Sequence, residues 1–220
     1  MDLTNQLNEL FNEWNEKFYK KDTLYKDGVI NEVNYKQAKQ KILFIAKEPN
    51  GKNHKENIDR DFRTEWNTTE PSYIFAKRIS EWAYGILNNF PVFNEASNKL
   101  RALQDIAFMN IKKSAGIGTV EDYVIISALE RELDYIKKEI EIIAPDIIIL
   151  STGFIKKIRE KLFDNAEWKS SGYGVDYSIH ESCTIIDFYH PSSRIVAAAS
   201  YSLLQNVFKS MHENIKVSQR

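Results

Sequence analysis

The sequence predicts an α/β fold built on a parallel sheet, and two observations carry that prediction. Short and nearly continuous apolar runs occur at Lys41–Ala46, Ile106–Ile111 and Asp146–Leu150, and they alternate with segments whose apolar residues recur at helical spacing. Continuous apolar character marks strands buried on both faces, which is the condition of a parallel sheet. The order β, α, β, α, β points the same way. With 220 residues, 43% of them apolar or aromatic, the chain is long enough for one domain with a full core.

Each element has its own signal. Leu7, Leu10, Phe11, Trp14 and Phe18 recur at spacings of three and four, so an amphipathic helix is expected at the N-terminus, lying on the outside of the domain. A polar stretch follows from Lys20 to Lys41. On this reading residues 1–40 form a helical extension packed on an α/β domain spanning 41–220. The first strand, Lys41–Ala46, leads into a polar loop reaching to about Pro71, a length that is usually functional in a compact domain. Pro71 or Ser72 can open a helix through Ile74, Phe75, Ile79, Trp82 and Ile86, closed by Asn88-Asn89 ahead of Pro91. A short helix is expected around Ala96–Leu103, and the second strand, Ile106–Ile111, ends in the turn-rich segment Lys112–Gly116.

Thr119 to Asp122 matches a loose capping box, and Ile126, Leu129, Leu133, Ile136, Ile140 and Ile143 form the stripe of a crossover helix that Pro145 ends. The third strand, Asp146–Leu150, precedes a helix from Gly153 through Ile158 and Leu162. Val175–His180 and Thr184–Tyr189 read as an extended pair, and Ala197–His212 as a final helix.

Composition excludes several functions. The single cysteine, Cys183, allows no internal disulfide, no four-cysteine zinc site and no self-held iron–sulfur cluster. His54, His180 and His212 show no metal-ligand spacing, so neither a metal nor another cofactor is expected. No apolar run approaches the roughly 18 residues of a membrane span, and the N-terminus lacks the basic and apolar regions of a signal peptide. The expectation is a cytoplasmic protein without a membrane partner. A net charge of −1 argues against a general nucleic-acid coating protein. Locally, Lys47, Lys52, Lys55, Arg60 and Arg63 follow the first strand, Lys112 and Lys113 the second, and Arg194 follows His190. These are either solvated loop charges or a rim that tracks phosphates.

Two segments at the ends of apolar runs carry the functional signal. They are Ala46-Lys47-Glu48-Pro49-Asn50-Gly51 and His190-Pro191-Ser192-Ser193. In an open α/β sheet, ligands bind outside the carboxyl ends of strands, so a carboxylate and an imidazole there can face one pocket from distant parts of the chain. Asn110 holds the equivalent place after Phe108-Met109.

In these residues the chain resembles the uracil-DNA glycosylase superfamily. Ala46-Lys47-Glu48-Pro49 is similar to its Gly-x-x-Pro motif, His190-Pro191-Ser192 to its His-Pro-Ser motif, and Asn110 to its strand-end asparagine, over most of residues 41–210. The resemblance implies a three-layer α/β/α sandwich around a central, mainly parallel four-stranded sheet. It also implies a hydrolase that flips a damaged base out of DNA and cleaves its N-glycosidic bond. Glu48 would then hold the water and oppose the cationic sugar, and His190 would donate a hydrogen bond to the departing base. Asn110 would read the base edge, with Ala46, Lys47, Pro49, Asn50 and Ser192 around it. Lys52, Lys112, Ser193 and Arg194 are the candidate phosphate contacts, and Ile195 is a candidate wedge. A stacking ring would come from Phe62, Trp66 or Tyr73. The sequence differs from the family pattern at Ala46, where a glycine is usual, and at Asn50, where the best-known branch carries tyrosine. Ser193-Arg194 stands where an apolar wedge is common. The same residues also suit a protein that binds or hydrolyses a small nucleoside or nucleotide, or a binding domain without activity.

Overall fold

The computed structural model describes residues 2–19, 24–50, 61–116, 120–180 and 182–218. Its centre is the strand β2, Ile42–Ala46, in which all five residues are buried. Ile42, Phe44 and Ala46 join one apolar cluster, and Leu43 and Ile45 join a second on the opposite face. Alternate side chains thus enter two cores, which is why the run is apolar throughout.

The sheet has seven strands in the order β1-β3-β2-β4-β7-β6-β5. The other six are β1 Gly28–Val29, β3 Ala107–Asn110, β4 Ile147–Leu150, β5 Lys169–Ser170, β6 Asp176–His180 and β7 Cys183–Asp187. β3, β2, β4 and β7 are adjacent and parallel. β1 adds antiparallel to β3 at one edge, and β6 and β5 add antiparallel beyond β7 at the other. The expectation of a mainly parallel four-stranded sheet is therefore corrected to a mixed sheet of seven. β1 and β5 are two residues long, too short to show a hydrophobic period, and β5 is fully exposed. β1 lies in the stretch from Lys20 to Lys41 that reads as polar.

One face is covered by α1, Leu3–Trp14, α2, Glu32–Gln37, α6, Asp122–Ile143, and α7, Lys156–Leu162. The other is covered by α3, Phe62–Thr68, α4, Ile74–Leu87, α5, Phe93–Ala96, a 3-10 helix at Leu100–Asp105, and α8, Ala197–Ser218. Asp2 caps α1 by accepting from Asn5 N at 2.8 Å. Leu7, Leu10, Phe11 and Trp14 are at most 1% exposed, so α1 is a wall of the core itself. α3 interrupts the segment read as one long loop. Its Phe62 and Trp66 rings lie 5.5 and 4.7 Å from that of Phe108, which makes both of them core residues.

The stripe of α6 is rotated from the expected one. Leu129, Ile136 and Ile143 are buried, Ile126, Leu133 and Ile140 only partly so, and Glu132 and Glu139 complete the buried face. Glu132 accepts from Trp14 Nε1 at 2.7 Å and Tyr19 Oη at 2.8 Å. Thr119 lies outside the described residues, and Glu121 caps the helix without a side-chain bond. Among the described residues no helix is long and apolar enough to cross a membrane.

Candidate functional site

Parallel pairing of β3, β2, β4 and β7 puts the segments that follow them on one edge of the sheet. The ladder continues past the strand ends. Ile111 N donates to Ala46 O and Lys112 N to Lys47 O, each at 2.9 Å, and Gly116 N donates to Pro49 O at 2.8 Å. Ser151 N bonds Ile45 O and Phe188 N bonds Leu150 O across the same edge. Residues 46–50 are thereby zipped to 110–116, with Ala46 in register with Asn110 and Asn50 bridged to Gly116.

This zipper fixes Glu48. Its Oε2 accepts from Lys112 Nζ at 2.7 Å, and Lys112 also donates to Ser114 O at 2.9 Å. The Glu48 carboxylate lies over the bare Cα of Gly116, where any Cβ would overlap it. Lys47 reaches away to Asp122 Oδ1 at 3.2 Å.

His190 is set by a second group of contacts. Its ring lies 5.5 Å from that of Phe75 on α4, and the neighbouring Tyr189 meets Phe154 edge-on at 4.7 Å. Ser192 N donates to Nδ1 at 3.2 Å, and Ser193 N to the carbonyl at 2.8 Å. Burial, aided by the Lys47 ammonium, lowers its pKa to about 4. The ring is neutral at pH 7, and since Nδ1 accepts from a backbone N–H, the proton sits on Nε2. Arg78, buried on α4, holds the loop further on by donating to Ile195 O through both terminal nitrogens at 3.2 Å. It also donates to Ser200 Oγ at 2.9 Å.

Asn110 closes β3 and is 1% exposed. Its backbone N donates to Asp27 Oδ2 at 2.7 Å and its Nδ2 reaches the same oxygen at 3.4 Å. Asp27 in turn accepts from Lys113 Nζ at 2.5 Å, and Lys113 Nζ lies 2.7 Å from Glu139 Oε2. At the end of β7, separated from β3 by β2 and β4, burial raises the Asp187 carboxyl to about 6 against the pull of Arg159, whose Nη1 lies 3.1 Å away.

Of the other sequence candidates, Pro49 is buried, Asn50, Ser192 and Arg194 are exposed, and Ser193 Oγ is buried with no hydrogen-bond partner among the described residues. Tyr73 is half-exposed, and its hydroxyl accepts from Trp66 Nε1 at 2.6 Å. Lys52, Lys55 and Arg60 lie outside the described residues. Glu48, Asn110 and His190 share the sheet edge, but no hydrogen bond joins them to one another. A cavity of about 680 Å³ lies toward the opposite edge, lined by Asn34, Lys39, Tyr84, Arg101 and Asp105 among others, and holds none of the three. Among the described residues no group of three or more His, Cys, Asp or Glu is placed to hold a metal ion.

Sequence reasoning missed Asp27, Phe75, Arg78 and Glu139 as parts of this edge, and Lys113, read as a loop cation after the second strand, is wholly buried between Asp27 and Glu139. One signal was present for Glu139: Glu132 and Glu139 fall seven residues apart between the apolar members of a helical stripe, where acids are buried only if partnered. The class these features define is an α/β protein with a mixed seven-stranded sheet and a polar cluster at the carboxyl edge of its parallel strands. A scan against profiles of known protein families finds no match, and a search of curated proteins finds none either.

Proposed function

We propose that the chain is a hydrolase of the uracil-DNA glycosylase type, acting on a base flipped out of DNA. The observation that carries this reading is the neutral His190, with its proton on Nε2, at the same sheet edge as the carboxylate Glu48. Four adjacent parallel strands between two helix-covered faces also agree with the three-layer architecture of that superfamily.

The chemistry follows from these two groups. As the bond between C1′ and the base nitrogen breaks, its electron pair leaves with the base, and Nε2–H of His190 donates to the base oxygen where negative charge collects. The sugar becomes cationic, and the Glu48 carboxylate opposes that charge and orients the water whose oxygen bonds to C1′. The water's proton passes to the carboxylate or to solvent. Lys112 engages Oε2 of Glu48, and Oε1 lies over Gly116.

The test is excision from single- and double-stranded oligonucleotides carrying uracil, hypoxanthine or xanthine, read as strand scission after alkaline treatment of abasic sites. Release from at least one lesion is expected. No excision together with no binding to any of these DNAs overturns the reading. A second reading, action on a free nucleoside or nucleotide, is favoured by one observation: Lys47 and Lys112 both engage carboxylates rather than presenting a basic rim. Release of base from free deoxynucleosides but not from DNA would select it.

A further expected result concerns Gly116→Ala. The added methyl meets the Glu48 carboxylate, so the acid or the Gly116 N–H to Pro49 O bond must shift. Excision should fall by about 100-fold, as a displacement near 1 Å can do, while overpacking costs about 1–3 kcal/mol in a urea titration. An unchanged excision rate would show that the position of Glu48 is not used.

A further inference from the structure

Asp27 precedes β1, in a stretch that carries no sequence motif, yet it is fully buried and directed at the residue proposed to read the base. One of its oxygens takes both the backbone N–H and the Nδ2 of Asn110, and the other takes Lys113 Nζ. Both Asp27 oxygens already act as acceptors, one for the Asn110 backbone N–H and the other for the Lys113 ammonium. The part of the Asn110 carboxamide that faces Asp27 must therefore be its NH₂ group, because the reversed rotamer would set Oδ1 about 3.4 Å from a carboxylate oxygen. Asp27 cannot turn to accommodate that rotamer, since Lys113, itself wholly buried, and the Asn110 backbone hold it from two sides.

We propose that Asp27 is a positioning residue that sets base selectivity by fixing which way the Asn110 carboxamide points. Held so, Asn110 offers Oδ1 as an acceptor and the second Nδ2 hydrogen as a donor. That pair complements an edge with a ring N–H beside a carbonyl, as in uracil (N3–H, O4), hypoxanthine and xanthine (N1–H, O6). Cytosine and adenine present the reverse, a ring nitrogen acceptor beside an amino donor, and would leave buried polar atoms facing like partners. The inference rests on the glycosylase reading for its reaction and on the Asp27 contacts for its geometry.

The neighbourhood makes the substitution testable. Burial pushes the Glu139 carboxyl well above the usual carboxylate range, with Asp27 reinforcing this and the Lys113 ammonium opposing it. In Asp27→Asn the Glu139 carboxyl stays beside the Lys113 ammonium, 2.7 Å away, so the buried cation keeps an acidic partner. Asp27→Asn can donate as well as accept, so either orientation of Asn110 finds a partner. The rate ratio of uracil to cytosine excision from single-stranded oligonucleotides should fall by about 10- to 100-fold in Asp27→Asn, and Glu139→Gln should keep the ratio. Both rates falling together at constant ratio would show a merely structural role and overturns the proposal.

A second measurement needs neither catalysis nor a folded variant. Free uracil, hypoxanthine and cytosine are titrated into the ¹⁵N-labelled native protein while the Asn110 side-chain amide is followed. Perturbation by uracil and hypoxanthine but not by cytosine supports the positioning role, and equal perturbation by all three, or none by any, overturns it. If uracil perturbs Asn110 but no oligonucleotide is cleaved, the glycosylase reading falls and the role of Asp27 stands.

Discussion

His190→Ala is expected to lower the single-turnover excision rate by about 10²- to 10⁴-fold, the usual contribution of a positioned proton donor. His190→Gln should recover part of that loss, because its amide N–H can reach toward the position of Nε2. The pH dependence is the sharper readout. An unperturbed imidazole titrates near 6.5, whereas His190 titrates at about 4. The native rate should therefore show no acid limb near 6.5 and fall only near 4. There a proton on Nδ1 would confront the Ser192 N–H that now donates to it. Stability follows the same sign. The folded value is depressed, so the contribution of His190 is fully present above 6.5 and is lost as the pH falls toward 4, by up to about 3 kcal/mol. An NMR titration of the ring with its midpoint near 6.5 would remove the physical basis for His190 as a neutral donor.

The sequence made the inner strands legible for a physical reason. Strands buried on both faces are apolar wherever no polar partner awaits them, and β2, β3 and β4 are buried throughout, with only Asn110 at the end of β3 polar. The outer strands carry no such constraint. Gly28–Val29 is a strand because it lies in register with Phe108 and Ala107, a partner some eighty residues away that local pattern does not reveal. The same non-local register conceals Asp27, which reads as one more acid in a polar stretch until pairing of β1 with β3 sets it against Asn110. Glu48, Asn110 and His190 could be singled out because each follows an apolar run. Their supports could not. Phe75 and Arg78 look like ordinary helix residues, and only the fold of α4 against the loop after β7 gives them His190 and Ile195 as partners.

Lys113→Met should be the most destabilising single change at this edge. It removes the one cation between two buried acids, and breaking a buried pair from one side costs about 3–5 kcal/mol. That is a large fraction of the roughly 5–15 kcal/mol that holds a domain folded. It should appear in urea titrations at pH 7 as a lowered midpoint with an unchanged slope. The two acids should then behave differently from each other. Asp27 is hydrogen-bonded to Lys113 and to the Asn110 backbone, whereas burial raises the Glu139 carboxyl well above the usual range. Glu139→Gln therefore keeps the shape of a group whose charged form burial opposes, and should cost less than about 1 kcal/mol at pH 7. Its sign reverses with pH. Because the folded value of Glu139 is raised, its contribution is full below the unfolded value and is lost as the pH rises through the folded one, so the variant gains on the native protein in alkaline solution. If Glu139→Gln instead costs as much as Lys113→Met, Glu139 is the ionised partner.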